Sequence, residues 1–134
     1  MNKEPINNLI KSAIKAYHNA YAPYSKFSVG AAVLDENGSI YNGCNVENAA
    51  YPSGSCAEEQ AIGNMIANGG KLIREIVIIG ISDKLITPCG ACRQRIREFS
   101  DKDTIIHIHH IEQGLQQSFK LDELLPYSFG PENL

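Results

Sequence analysis

A chain of 134 residues that is 43% hydrophobic has enough apolar material for one core, and a single domain spanning 1–134 is expected. The formal net charge of −3, with no run of Lys or Arg, excludes the electrostatic footprint of a phosphate-backbone binder, so a small-molecule substrate is expected and nucleic acid is not. The opening Met1-Asn2-Lys3-Glu4 leads into no apolar run long enough for a signal peptide or a membrane span, so a cytoplasmic protein is expected, in which four cysteines serve metal or thiol chemistry rather than structural disulfides.

After Pro5, the residues Ile6, Leu9, Ile10, Ala13, Ile14 and Tyr17 recur at three- and four-residue steps. This predicts an amphipathic helix that Pro23 prevents from continuing. The nearly continuous apolar run from Phe27 to Leu34, followed by the turn-forming pair Asn37-Gly38, predicts paired strands at roughly 27 to 35 and 39 to 44. Asn45 to Ser55 has no period and reads as an ordered loop. A helix follows, with Ala61, Ile62, Met65 and Ile66 on one face and Gly69-Gly70 closing it in the left-handed conformation.

Glu75 to Ser82 is β-branched and apolar on both faces, as a strand covered by helices on each side would be. Pro88 precedes a helix at roughly 90 to 99, Thr104 to His109 forms a further strand, and Leu121 to Leu125 makes a short helical turn ending at Pro126. Strands alternating with helices indicate an α/β sandwich.

Zinc takes thiolate and imidazole ligands in a tetrahedron, and a catalytic site keeps three protein ligands so that the fourth position holds water. Cys56, Cys89 and Cys92 meet that count, and Cys56 and Cys89 fall at predicted helix starts, where free N–H groups and the helix dipole favour thiolates. Glu58, two residues after Cys56, is placed to take a proton from water and return it to a substrate. Two plainer readings stay open at this level. Ser55 and Glu58 also match a capping box, and Cys89-x-x-Cys92 also suits half of a structural zinc site or a redox dithiol. A closed zinc site needs a fourth ligand, however, and Cys44 has no partner spacing.

Cys-Ala-Glu at 56–58 and Pro-Cys-Gly-Ala-Cys-Arg-Gln at 88–94 together resemble the zinc segments of nucleoside and nucleobase deaminases. With Tyr24-Ser-Lys-Phe-Ser-Val-Gly-Ala-Ala32, Gly43-Cys-Asn-Val-Glu-Asn-Ala-Ala-Tyr-Pro52 and Leu124-Leu-Pro-Tyr-Ser-Phe-Gly-Pro131, the chain is similar along nearly its full length to the small cytidine deaminases with three cysteine ligands. The resemblance implies a three-layer α/β/α sandwich with a mixed five-stranded sheet, one Zn2+ per subunit, and homotetramers with shared active sites. It implies that Phe27 lines a nucleoside pocket, that Asn45 and Glu47 bind the ribose hydroxyls, that Phe129 stacks on the base from a neighbouring subunit with Tyr51 near the same subunit boundary, and that Tyr51 and Ala57 also belong to the substrate site. The implied reaction is hydrolytic attack at C4 of cytidine or deoxycytidine, as in pyrimidine salvage, with Glu58 protonating N3 and later relaying a proton to the departing ammonia.

A related nucleoside substrate such as blasticidin S, or a non-catalytic zinc-binding module, are the competing readings. In the resembled family the residue after the catalytic Glu is often Arg, which offsets the thiolate charge, whereas this chain has Glu59. Glu59 is therefore expected to face solvent, with helix dipoles and Arg93 balancing the charge. Arg93, Arg95, Arg97 and Lys102 read as a solvated helix face, and His18, His107, His109 and His110 as surface histidines.

Overall fold

The computed structural model describes residues 3–134, so Met1 and Asn2 of the polar opening lie outside the described residues. The predicted first helix is α1, Glu4–His18. Pro5 sits in its first turn, where the missing N–H has no intrahelical partner to lose, and Lys15 and His18 sit in its last turn beside the exposed carbonyls. Leu9, Ala13 and Ala16 form its buried stripe.

Five strands follow: β1 (Gly30–Asp35), β2 (Ile40–Cys44), β3 (Ile73–Gly80), β4 (Ile105–His110) and β5 (Gly114–Lys120). They form one sheet in the order β2-β1-β3-β4-β5, in which only β3 and β4 run parallel. The central strands β1 and β3 are covered on both faces. Ala31, Val33, Ile76 and Ile78 belong to one core, with Ala61, Met65 and Ile96 from the helices α2 (Ala57–Ala67) and α3 (Gly90–Glu98). Ala32, Leu34, Val77 and Ile79 belong to the other, under Leu9 and Ala13 of α1. The alternation along each strand is what places one helix layer on either side, giving the expected three-layer α/β/α sandwich.

Gly43 in β2 sets the seat of α2. A Cβ at this position would come within 2.4 Å of the Ala61 backbone nitrogen and 2.7 Å of the Ala57 carbonyl oxygen, so the helix backbone rests directly on the strand. At the other end of α2, the chain leaves the helix after Asn68 with Gly69 at φ +94°, the left-handed closure its sequence predicts.

The structure departs from the predicted elements in four places. The first strand starts at Gly30 rather than near Phe27, because the Asn45 side chain holds the preceding segment as a loop: Val29 N–H donates to Asn45 Oδ1 at 3.0 Å, and Asn45 Nδ2 donates to the Phe27 carbonyl at 2.8 Å. The strand β5 has no apolar alternation, since it is an edge strand with an exposed, polar sequence. Within the 45–55 loop, Tyr51–Ser53 form a single 3-10 turn. His110 is 5% exposed rather than on the surface; its Nδ1 accepts from the backbone N–H groups of Glu112 and Gln113 and closes the β4–β5 turn. Its neighbour His107 bridges Glu75 and Ser118 at 2.7 Å each, and burial lowers the pKa of His109.

Candidate active site

The helices α2 and α3 pack beside one another on the same face of the sheet, and each begins with a cysteine. Cys56 and Cys89 are the N-cap residues, both with extended backbone, so their side chains lie just ahead of the free N–H groups of the first turn. Extension at Cys56 follows from the bridge between Ser55 and Val46, whose backbone groups exchange hydrogen bonds of 2.9 and 3.0 Å. At α3, Pro88 disfavours helical backbone at Thr87, so the helix cannot extend back beyond Pro88. Cys92 occupies the first turn of α3 and is fully buried.

The Sγ atoms of Cys56, Cys89 and Cys92 all lie within 4.8 Å of one another, and no other residue joins the cluster among the described residues. Cys44 stays apart, a half-buried thiol whose pKa burial raises, so a closed four-cysteine site does not form. Burial also raises the thiols of Cys56 and Cys92, and the neighbouring acidic groups add to the effect on both. Three thiolates crowded into a half-buried site require a cation. The donor set fits one zinc ion, which accepts sulfur ligands readily and would have one of its four usual positions left for a non-protein ligand.

Glu58 is 6% exposed at the start of α2. It makes no capping interaction: the N-cap is Cys56 rather than Ser55, and no side chain caps the helix. Burial raises the pKa of its carboxyl, opposed by its own backbone N–H, the Cys92 side chain and the charge of Arg95. A buried carboxyl with a raised pKa beside a cluster of three thiols is the arrangement general acid–base chemistry needs.

Cys56, Cys89 and Glu58 open onto a cavity of about 610 Å3, a volume suited to a small-molecule ligand. Asn45, Glu47, Tyr51 and Ala57 line it, whereas Phe27 and Phe129 are not among its lining residues within one chain. Phe27 lies in the segment that Asn45 ties down, and Phe129 is 58% exposed on the C-terminal tail. That tail is clamped to α3, with Gln94 Nε2 donating to the Phe129 carbonyl at 3.0 Å and Arg97 bonded to Ser128 and Glu132.

The cavity is also lined by Tyr24, Ser25, Ile86 and Thr87, to which the sequence motifs assign no role. The backbone N–H groups of Tyr24 and Ser25 donate to Glu47 Oε1 at 3.0 and 3.1 Å, and the Ser25 hydroxyl bonds to Oε2. Those bonds, the Ser25 hydroxyl first, lower the pKa of Glu47 and keep it a carboxylate. The tyrosine ring meets Tyr51 with centroids 6.1 Å apart. The signal for Ile86 and Thr87 was their place immediately before Pro88 and Cys89.

The expected charge balance is corrected by the structure. Glu59 does not stand free in solvent but pairs with Arg95, Nη2 to Oε2 at 3.2 Å. Arg93 does not reach the thiols. Its three nitrogens donate to the Pro88 carbonyl at 2.7 Å, the Thr87 hydroxyl at 2.8 Å and the Leu124 carbonyl at 2.6 Å, bracing the loop that carries Cys89 against the short helix α4, Leu121–Leu124. The group that meets a ligand sulfur is Arg95, whose Nη1 donates to Cys92 Sγ at 3.4 Å. Helical spacing explains the exchange. Arg93 follows Cys92 by one residue and points away, whereas Arg95 follows by three and returns to the same face.

The family model described as the cytidine and deoxycytidylate deaminase zinc-binding region matches residues 3–108. Among similar proteins, the cytidine deaminase of Sporosarcina psychrophila is 37% identical over 129 residues, covering 96% of this chain and 94% of the relative. That of Halalkalibacterium halodurans is 40% identical over 126 residues, covering 94% and 95%. The crystal structure of cytidine deaminase from Burkholderia pseudomallei superposes with a TM-score of 0.85 at 36% identity, covering 92% of this chain and 98% of that one.

Proposed function

The chain belongs to the cytidine and deoxycytidylate deaminase family, and from that premise we propose that it is a zinc-dependent hydrolase converting cytidine and deoxycytidine to uridine and deoxyuridine. The observation that carries the reading is the position of Glu58, buried against three clustered thiols and open to a cavity of nucleoside size. Cys56, Cys89 and Cys92 would hold the zinc ion, which would supply a Lewis acid that brings the pKa of water close to neutrality.

Glu58 takes the proton released as water attacks and delivers it to N3 of the cytosine ring, which leaves C4 open to the new C–O bond. It then carries the proton of the new C4 hydroxyl to the amino group, the C4–N4 bond breaks as the C4 carbonyl forms, and ammonia leaves. The raised pKa of its carboxyl suits both transfers near neutral pH. A glutamate used only as a cap or a surface charge needs no such burial, which argues against a non-catalytic zinc module.

Asn45 and Glu47 recognise the ribose hydroxyls. Glu47 has three acceptor sites taken by Tyr24 and Ser25, leaving lone-pair capacity for one more donor, and Asn45 keeps a second amide N–H. Their remaining capacity matches a diol, while their internal bonds hold them in place for it. Tyr51 and Ala57 border the same cavity, and Phe27, whose carbonyl Asn45 holds, is read as contacting the nucleoside beside them.

The reading extends to a homotetramer with shared active sites, in which Phe129 covers the base of a neighbouring subunit. It is supported by the exposure of Tyr51 at 76%, Tyr127 at 106% and Phe129 at 58%, more aromatic surface than a lone subunit needs. Light scattering should give the mass of four chains, and a monomer would remove the shared site. A cytoplasmic setting, where unpaired thiols stay reduced, and a place in pyrimidine salvage complete the proposal. No helix among the described residues is long and apolar enough to cross a membrane.

Ultraviolet absorbance tests the substrate directly. Cytidine and deoxycytidine should both lose the cytosine band with release of ammonia. Turnover of blasticidin S with no change in cytidine would move the substrate assignment and leave the zinc chemistry standing.

A further inference from the structure

The thiol cluster sits in an acidic corner. Three thiolates outweigh one divalent cation, and the first turn of α2 adds the acidic side chains Glu58, buried, and Glu59, partly exposed. Helix dipoles offset part of this charge. Of the arginines on α3, Arg93 is committed to the 87–88 loop and α4, and Arg97 to the C-terminal tail. Arg95 alone among them meets a ligand sulfur, and that sulfur belongs to the most deeply buried of the three cysteines.

Its guanidinium is a two-ended contact. One nitrogen donates to Cys92 Sγ on α3 and another pairs with Glu59 on α2. The group therefore spans the two helices whose N-termini carry the ligands. A planar fork with several donors can hold both partners at once, whereas an ammonium on a flexible stem is a single point charge. As an isolated ion pair it would stabilise the fold little, because both side chains are more than a third exposed. The sulfur contact gives it a different role. A cationic donor on a ligand sulfur offsets its negative charge and restrains its position.

We propose that Arg95 is the positioning residue that balances the thiolate charge of the Cys56, Cys89 and Cys92 centre, with Glu59 as the tether that holds its guanidinium against Cys92. The proposal rests on the zinc reading but not on the identity of the nucleoside. Arg95 is not among the residues lining the cavity, so its loss should lower kcat and leave KM nearly unchanged.

The test is zinc release from the purified holoenzyme to a chromophoric chelator, which requires no substrate. Arg95→Leu should weaken zinc retention by about 10- to 100-fold, as loss of a group supporting a metal ligand typically does, with Arg95→Lys between it and the parent. Moving the charge across the pair gives the sharper readout. In Glu59→Arg combined with Arg95→Leu, an arginine rises from α2 into the space now shared by the pair, and zinc retention and kcat should recover most of the loss.

A purely structural role would shift the melting temperature of Arg95→Leu without changing zinc retention, and would overturn the proposal. If Arg95→Leu itself folds poorly, the double variant decides: recovery of zinc supports the assignment, and a folded double variant that still sheds zinc refutes it. Failure of the cytidine assay with normal zinc behaviour would instead count against the substrate reading alone.

Discussion

Replacing Glu58 with Gln should lower kcat on cytidine by about 100- to 10,000-fold, the usual contribution of a positioned acid–base group, while zinc content stays at that of the parent. The substitution keeps the size and polar shape of the side chain but removes the one group beside the cluster able to take and return a proton. It should not destabilise the protein. Burial already disfavours the charged form of Glu58, so a neutral amide avoids the desolvation that the carboxylate bears, and the melting temperature should hold or rise. The pattern of retained zinc, retained fold and lost kcat separates proton transfer from capping or packing. Turnover within tenfold of the parent would exclude Glu58 as the proton carrier.

Stripping zinc should have an effect at least as large, and its pH dependence has a definite sign. Burial raises the thiols of Cys56 and Cys92, and zinc binds their deprotonated forms, so each binding event releases protons. Protons therefore compete more strongly as pH falls. Dialysis against a chelator should remove zinc faster in acid than at neutral pH, activity should fall in proportion to metal content, and added zinc should restore it.

Stability should follow the same order, since zinc binds the folded chain and leaves a raised melting temperature behind it. Cys92→Ala should be the most damaging of the ligand variants. Its sulfur is fully buried and holds the contact with Arg95, whereas Cys89 is exposed. Activity that survives exhaustive removal of zinc would break the mechanism.

Most of the scaffold was legible in the sequence because its signals are local. The stripe from Ile6 to Tyr17 and the doubly apolar run ending at Gly80 follow from period and composition, and Gly69 from the left-handed backbone that only a residue without a Cβ takes readily. The spacing Cys56-Ala57-Glu58 with Pro88-Cys89-x-x-Cys92 likewise marked the three thiols that cluster and the glutamate buried beside them, since both segments place these groups at helix starts.

Tertiary structure decided what local pattern cannot carry. The edge strand β5 is largely exposed to solvent, so it has no apolar alternation to announce it. The Phe27 segment is apolar enough for a strand, yet the Asn45 side chain, distant in sequence, claims its backbone groups. The open question about Glu59 was also settled this way. Its partner lies on another helix, and only the packing of α2 against α3 brings Arg95 between that carboxylate and the buried sulfur of Cys92.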